Sequence, residues 1–292
     1  MFCHLTTRAM RSGSSSGSST TRSHSCSRSA VGKAPPACHS RCTTARLQAA
    51  EAAGAGVSGA PFVFHNPASA EESALPPGKC WLAGVGPGSW DHVTMKVAKL
   101  IAEAEVLVYD DLGAQQAEID KLLVALCQQG KRVVRLKGGC PSTFSRVGSE
   151  ASALSAAGCV FELVPGVSTA TAAAVLAGLP LTDAKLAGAY AVLSAHDAGC
   201  MDWAAVKAVP TLVILMGGRA LALIVQQLQA TGWPDDTPVA VVKEAGTAAQ
   251  TAWFSTLASV EQDTQPGAPL SPCIIVVGRV AGLPAAWAGT NA

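Results

Sequence analysis

The first fifty residues contain no aspartate or glutamate, although they carry seven of the chain's 21 Lys and Arg. All 20 acidic residues therefore fall beyond residue 50, against 14 basic ones, and a mildly acidic body gives no reason to expect nucleic-acid binding. No GxxxxGK[ST] stretch occurs, which leaves P-loop ATP chemistry without support. No uninterrupted apolar run is long enough to span a bilayer, so no membrane partner and a soluble protein are expected. The ten cysteines include no CxxC pair. Cys38 and Cys42, with His39 between them, lack a second pair and sit in a Ser-rich stretch, so no metal is expected there. Aromatics make up only 5% of the chain, while apolar residues reach 49%, much of it alanine and valine. That balance suits an α/β enzyme better than a β sandwich.

The acid-free leader is rich in Ser, Thr and Arg, with runs such as SGSSSGSSTTRSHSCSRSA. It has too little apolar surface to offset the entropy of folding, and it has the composition of an organelle transit peptide. The plastid stroma is the expected destination, with the mitochondrion as the alternative. Residues 51–78 are rich in Ala, Gly and Pro and read as a linker, so the folded body is expected from Lys79. The chain then alternates. CWLAGVG (80–86) predicts a buried strand, Asp91 to Glu105 a helix, VLVYD (106–110) a strand, and Ala114 to Gln129 a helix stopped by Gly130. VVRL, CVFELVPG (159–166) and AYAVLSA (189–195) predict further strands, with helices at 148–157 and 168–178. A second series follows: TLVILMGG (211–218), a helix over 220–229, TPVAVVKEAG (237–246) and SPCIIVVGRV (271–280). The pattern predicts two α/β units over 79–197 and 198–285, each a mixed, mostly parallel sheet flanked by helices, with a tail at 286–292. The cleft between them is the expected ligand site.

KRVVRLKGGCPSTFSRVG (131–148) carries the most information. A strand runs into a glycine pair and a proline turn, which is where open α/β sheets bind ligands. Four other loops accompany it in order: GVGPGSWDHVTMKVAKLIAEAEVLVYDDL, VPGVSTATAAAVLAGLPLT, LMGG and TPVAVVKEAGT. Together they resemble the successive signatures of the tetrapyrrole (corrin/porphyrin) methylase family, over about Lys79 to Val280. The spelling is most similar to the branch that methylates uroporphyrinogen III.

The resemblance implies a two-domain fold that binds S-adenosyl-L-methionine between its halves, without a metal, and methylates a small tetrapyrrole. It implies that Pro87, Gly138, Gly139, Cys140, Thr143, Ser168, Thr169, Met216, Ala240 and Gly246 surround the methyl donor. By residue type alone, Met216 fits core packing equally well. Asp110 matches the family's candidate base, although a strand-end Asp is often a turn former. Arg135 and Arg146 could take the substrate's propionates or remain solvated surface charges. Family members are commonly homodimers. The sequence departs from the family at two places. Cys140 stands where the family has aspartate, which would lose a charge-assisted contact. A helix-strand block after VLVYDD is absent, so the first domain is expected to be one block short. Two alternatives stay open: a member that binds ligand or partner without catalysis, and a methylase of another substrate.

Overall fold

The computed structural model describes residues 62–65, 74–109, 115–264 and 269–284. The leader, Asp110 and the tail lie outside the described residues. The first half comprises β1 (Phe62–His65), β2 (Lys79–Gly84), α1 (Met95–Glu103), β3 (Val106–Tyr109), α2 (Gln116–Gln128), β4 (Val133–Lys137), α3 (Val147–Ala156), β5 (Val160–Val164) and α4 (Thr169–Leu176). The second comprises β6 (Ala191–Ser194), β7 (Thr211–Leu215), α5 (Leu221–Ala230), β8 (Pro238–Lys243), β9 (Thr251–Thr256), α6 (Val260–Asp263) and β10 (Cys273–Gly278).

The first sheet has the order β1-β3-β4-β2-β5. The three pairings from β3 to β5 are all parallel, while β1 joins β3 antiparallel, Val63 opposite Val108. Alternation along β2 sends Cys80 and Leu82 to one face and Trp81 and Ala83 to the other. Both faces are covered. α1 packs Val97, Leu100 and Ile101 on the Trp81 side, and α2 packs Ile119 and Leu123 on the Cys80 side. The helices start and stop by local chemistry. The Thr94 hydroxyl accepts from the Val97 N–H at 3.3 Å, which starts α1 later than its apolar stripe suggests. At the end of α2, Gly130 takes φ +75°, its N–H reaches the Cys127 carbonyl, and the Lys131 N–H reaches that of Leu126. That is a Schellman stop, in which the left-handed position favours glycine.

The second sheet has the order β6-β7-β10-β8-β9 and is mixed: β6/β7 is parallel and the other three pairings are antiparallel. The mostly parallel character thus belongs to the first sheet. One side packs on α5 through Ile224, Val225 and Leu228. The other packs on α4, whose Ala170, Ala173 and Ala174 lie against Val213, Ala240 and Val276. Alanine lets the helix approach the strands closely, so α4 leaves the first sheet and seals the second.

Three expectations are corrected. β1 lies inside the stretch read as linker, so the first sheet begins before Lys79. β6, assigned from sequence to the first unit, pairs with β7, which places the division before Ala191. β9 was not expected at all, because TAWFST is an edge strand without an apolar run. The connection from β3 to α2 is short, residues 110–115, and β1 occupies the outer edge of β3. A chain starting at residue 74 should therefore unfold below one starting at residue 61. Losing one short ladder costs on the order of 2 kcal/mol at about 1 kcal/mol per hydrogen bond, or roughly 4–8 °C. Thermal unfolding of the two chains checks this, and equal midpoints would count against β1 as part of the sheet.

Candidate cofactor and substrate site

Three turns meet beyond the carboxyl ends of β2, β4 and β5. The Val85 N–H donates to the Lys137 carbonyl at 2.9 Å. Gly86 and Gly139 exchange two hydrogen bonds, at 3.2 and 3.1 Å. A Cβ on Gly84 would meet the Gly139 oxygen at 2.5 Å and the Gly166 nitrogen at 2.8 Å, so no larger residue fits between these turns. Gly139 has φ +68°, and a Cβ there would meet the Thr169 hydroxyl at 3.0 Å. The structure thus brings Pro87, Gly138, Gly139, Cys140, Ser168 and Thr169 into one cluster, as the motif order implied. Gly138 is exposed, so the backbone of this turn is open to a ligand. Ser168 is the N-cap of α4, its hydroxyl accepting from the Ala170 N–H at 3.3 Å.

The second half joins through Gly246. A Cβ at that position would meet the Pro87 carbonyl oxygen at 2.7 Å and the His92 ring at 3.0 Å. His92 is the residue that sequence reading missed. Its Nδ1–H donates to the Pro87 carbonyl at 2.7 Å, which fixes the GVGPG turn against the Gly246 loop. The only sequence cue was a histidine in the short helical turn directly after the glycines, over Trp90–His92.

Met216 follows β7 with φ +61° and is 44% exposed. Core packing therefore does not account for it. A non-glycine residue held in the left-handed region is a local strain of the kind that clusters at ligand sites. Ala240 lies elsewhere: it is fully buried in mid-strand between β10 and β9, its methyl against α4. Thr143 is half-buried in the turn after Cys140, its N–H donating to the Cys140 carbonyl at 3.1 Å.

The two arginines separate. Arg146 is exposed, with φ +59° at the N-cap of α3. Arg135 is 0% exposed, and its expected role at the substrate is corrected. Strand alternation places Arg135 on the face covered by α2 and α3. There its Nε donates to Glu150 Oε1 at 2.9 Å and its guanidinium also donates to the Leu136 carbonyl at 3.2 Å. Lys137 Nζ donates to both Glu150 oxygens at 2.7 and 2.8 Å. Glu150, from α3, thus fastens the end of β4 directly before the glycine pair.

Cys140 is half-buried, and its thiol lies 3.1 Å from the Ser142 hydroxyl. Burial is the largest single influence on its pKa and pushes it up. The Ser142 hydroxyl and the backbone N–H groups of Gly166 and Ser142 outweigh burial, so the pKa is lowered from the ordinary thiol value. The thiol is therefore easier to ionise than an ordinary one. Donors that suit a carboxylate at this position are present, and they act on sulfur instead.

Among the described residues, no group of three His, Cys, Asp or Glu has metal-holding geometry, and no helix is long and apolar enough to cross a membrane. The model of the family described as Tetrapyrrole (Corrin/Porphyrin) Methylases matches residues 79–261. The chain belongs to this family. The turns after Gly84 and Lys137 leave the first sheet, and the Met216 loop leaves the second. It is 39% identical over 236 residues to the uroporphyrinogen-III C-methyltransferase of Synechococcus elongatus, covering 72% of this chain and 97% of that protein. The crystal structure of uroporphyrin-III-C-methyltransferase from Thermus thermophilus superimposes with a TM-score of 0.65 at 34% identity, covering 72% of this chain and 98% of the other. The form of the Thermus enzyme complexed with S-adenyl homocysteine gives a TM-score of 0.62 at 31% identity, over 70% of this chain and 99% of the other.

Proposed function

We propose that this methylase transfers methyl groups from S-adenosylmethionine to ring carbons of uroporphyrinogen III, giving precorrin-2. The convergence of the Gly84, Gly139 and Gly166 turns carries the reading, supported by the relative that matches over nearly its whole length. The reaction needs little covalent help from the protein. Bound S-adenosylmethionine would supply an electrophilic methyl: the pyrrole carbon would attack it in line, the sulfur would leave as a neutral thioether, and the methylated ring would then give up a proton. The main contribution of the chain is to hold the two reactants at attack distance. The hydroxyl of Thr169 and the open backbone of Gly138 are proposed to hold the amino-acid end of the methyl donor, and Met216 to pack beside it. Arg146 is proposed to pair with a propionate of the substrate, a contact that suits a guanidinium. Asp110 is proposed as the proton acceptor. It follows Tyr109 in the sequence, and β3, which ends at Tyr109, runs parallel to β4. The acid-free, Arg-rich leader supports delivery to a plastid.

The full chain, incubated without oxygen with methyl-labelled S-adenosylmethionine and uroporphyrinogen III, should place label in the tetrapyrrole. Mass spectrometry should show singly and doubly methylated products. Binding of the methyl donor without transfer would identify a ligand-binding member instead. No binding would remove both readings.

A further inference from the structure

Three free cysteines meet on the α2/α3 face of the first sheet, away from the glycine turns. Cys80 lies in β2, Cys127 in the last turn of α2, and Cys159 directly after the Gly158 stop of α3. All three belong to one apolar cluster: Cys80 and Cys127 are buried in it and Cys159 packs against it half-buried. The Cys127 thiol is the middle one, interacting with the thiols of both Cys80 and Cys159. Nothing in the proposed methyl transfer uses these groups.

We propose that Cys127 and Cys159 form a reversible disulfide, with a small-molecule disulfide of the glutathione type as oxidant. Accessibility selects the pair. Exchange requires that an external disulfide reach one of the two sulfurs. Cys80 is fully buried, whereas Cys159 is open to solvent on one side. The Cys159 thiolate attacks one sulfur of the external disulfide and expels the first small thiol. The Cys127 thiolate then attacks the Cys159 sulfur of the mixed disulfide and expels the second. The protein gives up two electrons and two protons, and the external disulfide takes them up as two thiols.

The electrostatics of the cluster assign the order. The Cys127 pKa is lowered, chiefly by the hydrogen bond from the Cys80 thiol, against the opposing effect of burial. Cys127 is thus the thiol best able to act as the internal nucleophile. The Cys159 pKa is raised by burial and by its Cys127 neighbour, which makes the first step the slower one. The bond would tie the carboxyl end of α2 to the turn between α3 and β5. These two helices enclose the Arg135, Lys137 and Glu150 cluster.

The test uses the full chain, incubated with oxidised glutathione, alkylated, digested and mapped by mass spectrometry. The expected result is a peptide pair joined through Cys127 and Cys159 that dithiothreitol separates and that Cys159→Ser lacks. The thermal midpoint should rise on oxidation of the natural chain and stay fixed in the variant. An equal midpoint for both reduced forms shows that the variant folds normally. A bridge from Cys80 to Cys127, a mixed disulfide that persists on Cys159, or complete alkylation at Cys127 and Cys159 would each overturn the proposal.

Discussion

Replacing Glu150 by alanine should lower the stability of the chain by about 3–5 kcal/mol, the cost of removing one partner from a buried ion pair. Arg135 is 0% exposed and Lys137 is 3% exposed, and both converge on this carboxylate. The substitution leaves two cations in the interior without it. At this chain length the loss corresponds to a fall in the thermal midpoint of roughly 6–20 °C. Glu150→Gln should lose less, because its amide oxygen can still accept one hydrogen bond. Urea and thermal unfolding of the two variants check the order. A change below about 1 kcal/mol for the alanine variant, the scale of exposed ion pairs, would refute a buried anchoring role. The same substitution should weaken binding of the methyl donor, since the Lys137 carbonyl, which receives the Val85 N–H, sits on the strand end that Glu150 holds.

Cys140→Asp should tighten binding of S-adenosylmethionine. A hydrogen bond to a charged group is worth about 1.5–3 kcal/mol, which corresponds to roughly a 10- to 100-fold lower Kd. The Gly166 and Ser142 N–H groups and the Ser142 hydroxyl already surround the position, so a carboxylate would be received without rearranging the turn. Calorimetric titration of both forms gives the difference directly. An unchanged Kd would show that the residue does not face the charged end of the methyl donor.

Much of this organisation was legible because strands buried on both faces write themselves as continuous apolar runs. CWLAG, VLVY, TLVIL and CIIVVG all fell in place. The glycine turns were legible because close approach of three chains admits nothing larger. What was hidden was pairing and facing. β6 reads as well beside one sheet as beside the other, since its partner is set by contacts distant in sequence. β1 was obscured by Ala, Gly and Pro around it, and β9 by having no buried residue to mark a core-facing side. Arg135 was misplaced for a related reason. Alternation puts Arg135, Lys137 and Val133 on one face, but it does not say that helices cover that face. A strand buried on both sides that carries two cations requires an acid nearby, and Glu150 was the signal for it. His92 was hidden because its contact is with a backbone carbonyl rather than with a motif side chain.

Helix α4 begins at the glycine turns and spends its alanine flank on the far sheet. The chain therefore cannot be divided into two fragments that each keep a finished surface. A cut before the helix strips the first fragment of one wall of its ligand turns, and a cut after it uncovers one side of the second sheet. Gene fusions, split reporters and fragment complementation in this protein should treat residues 168–181 as common property of both halves.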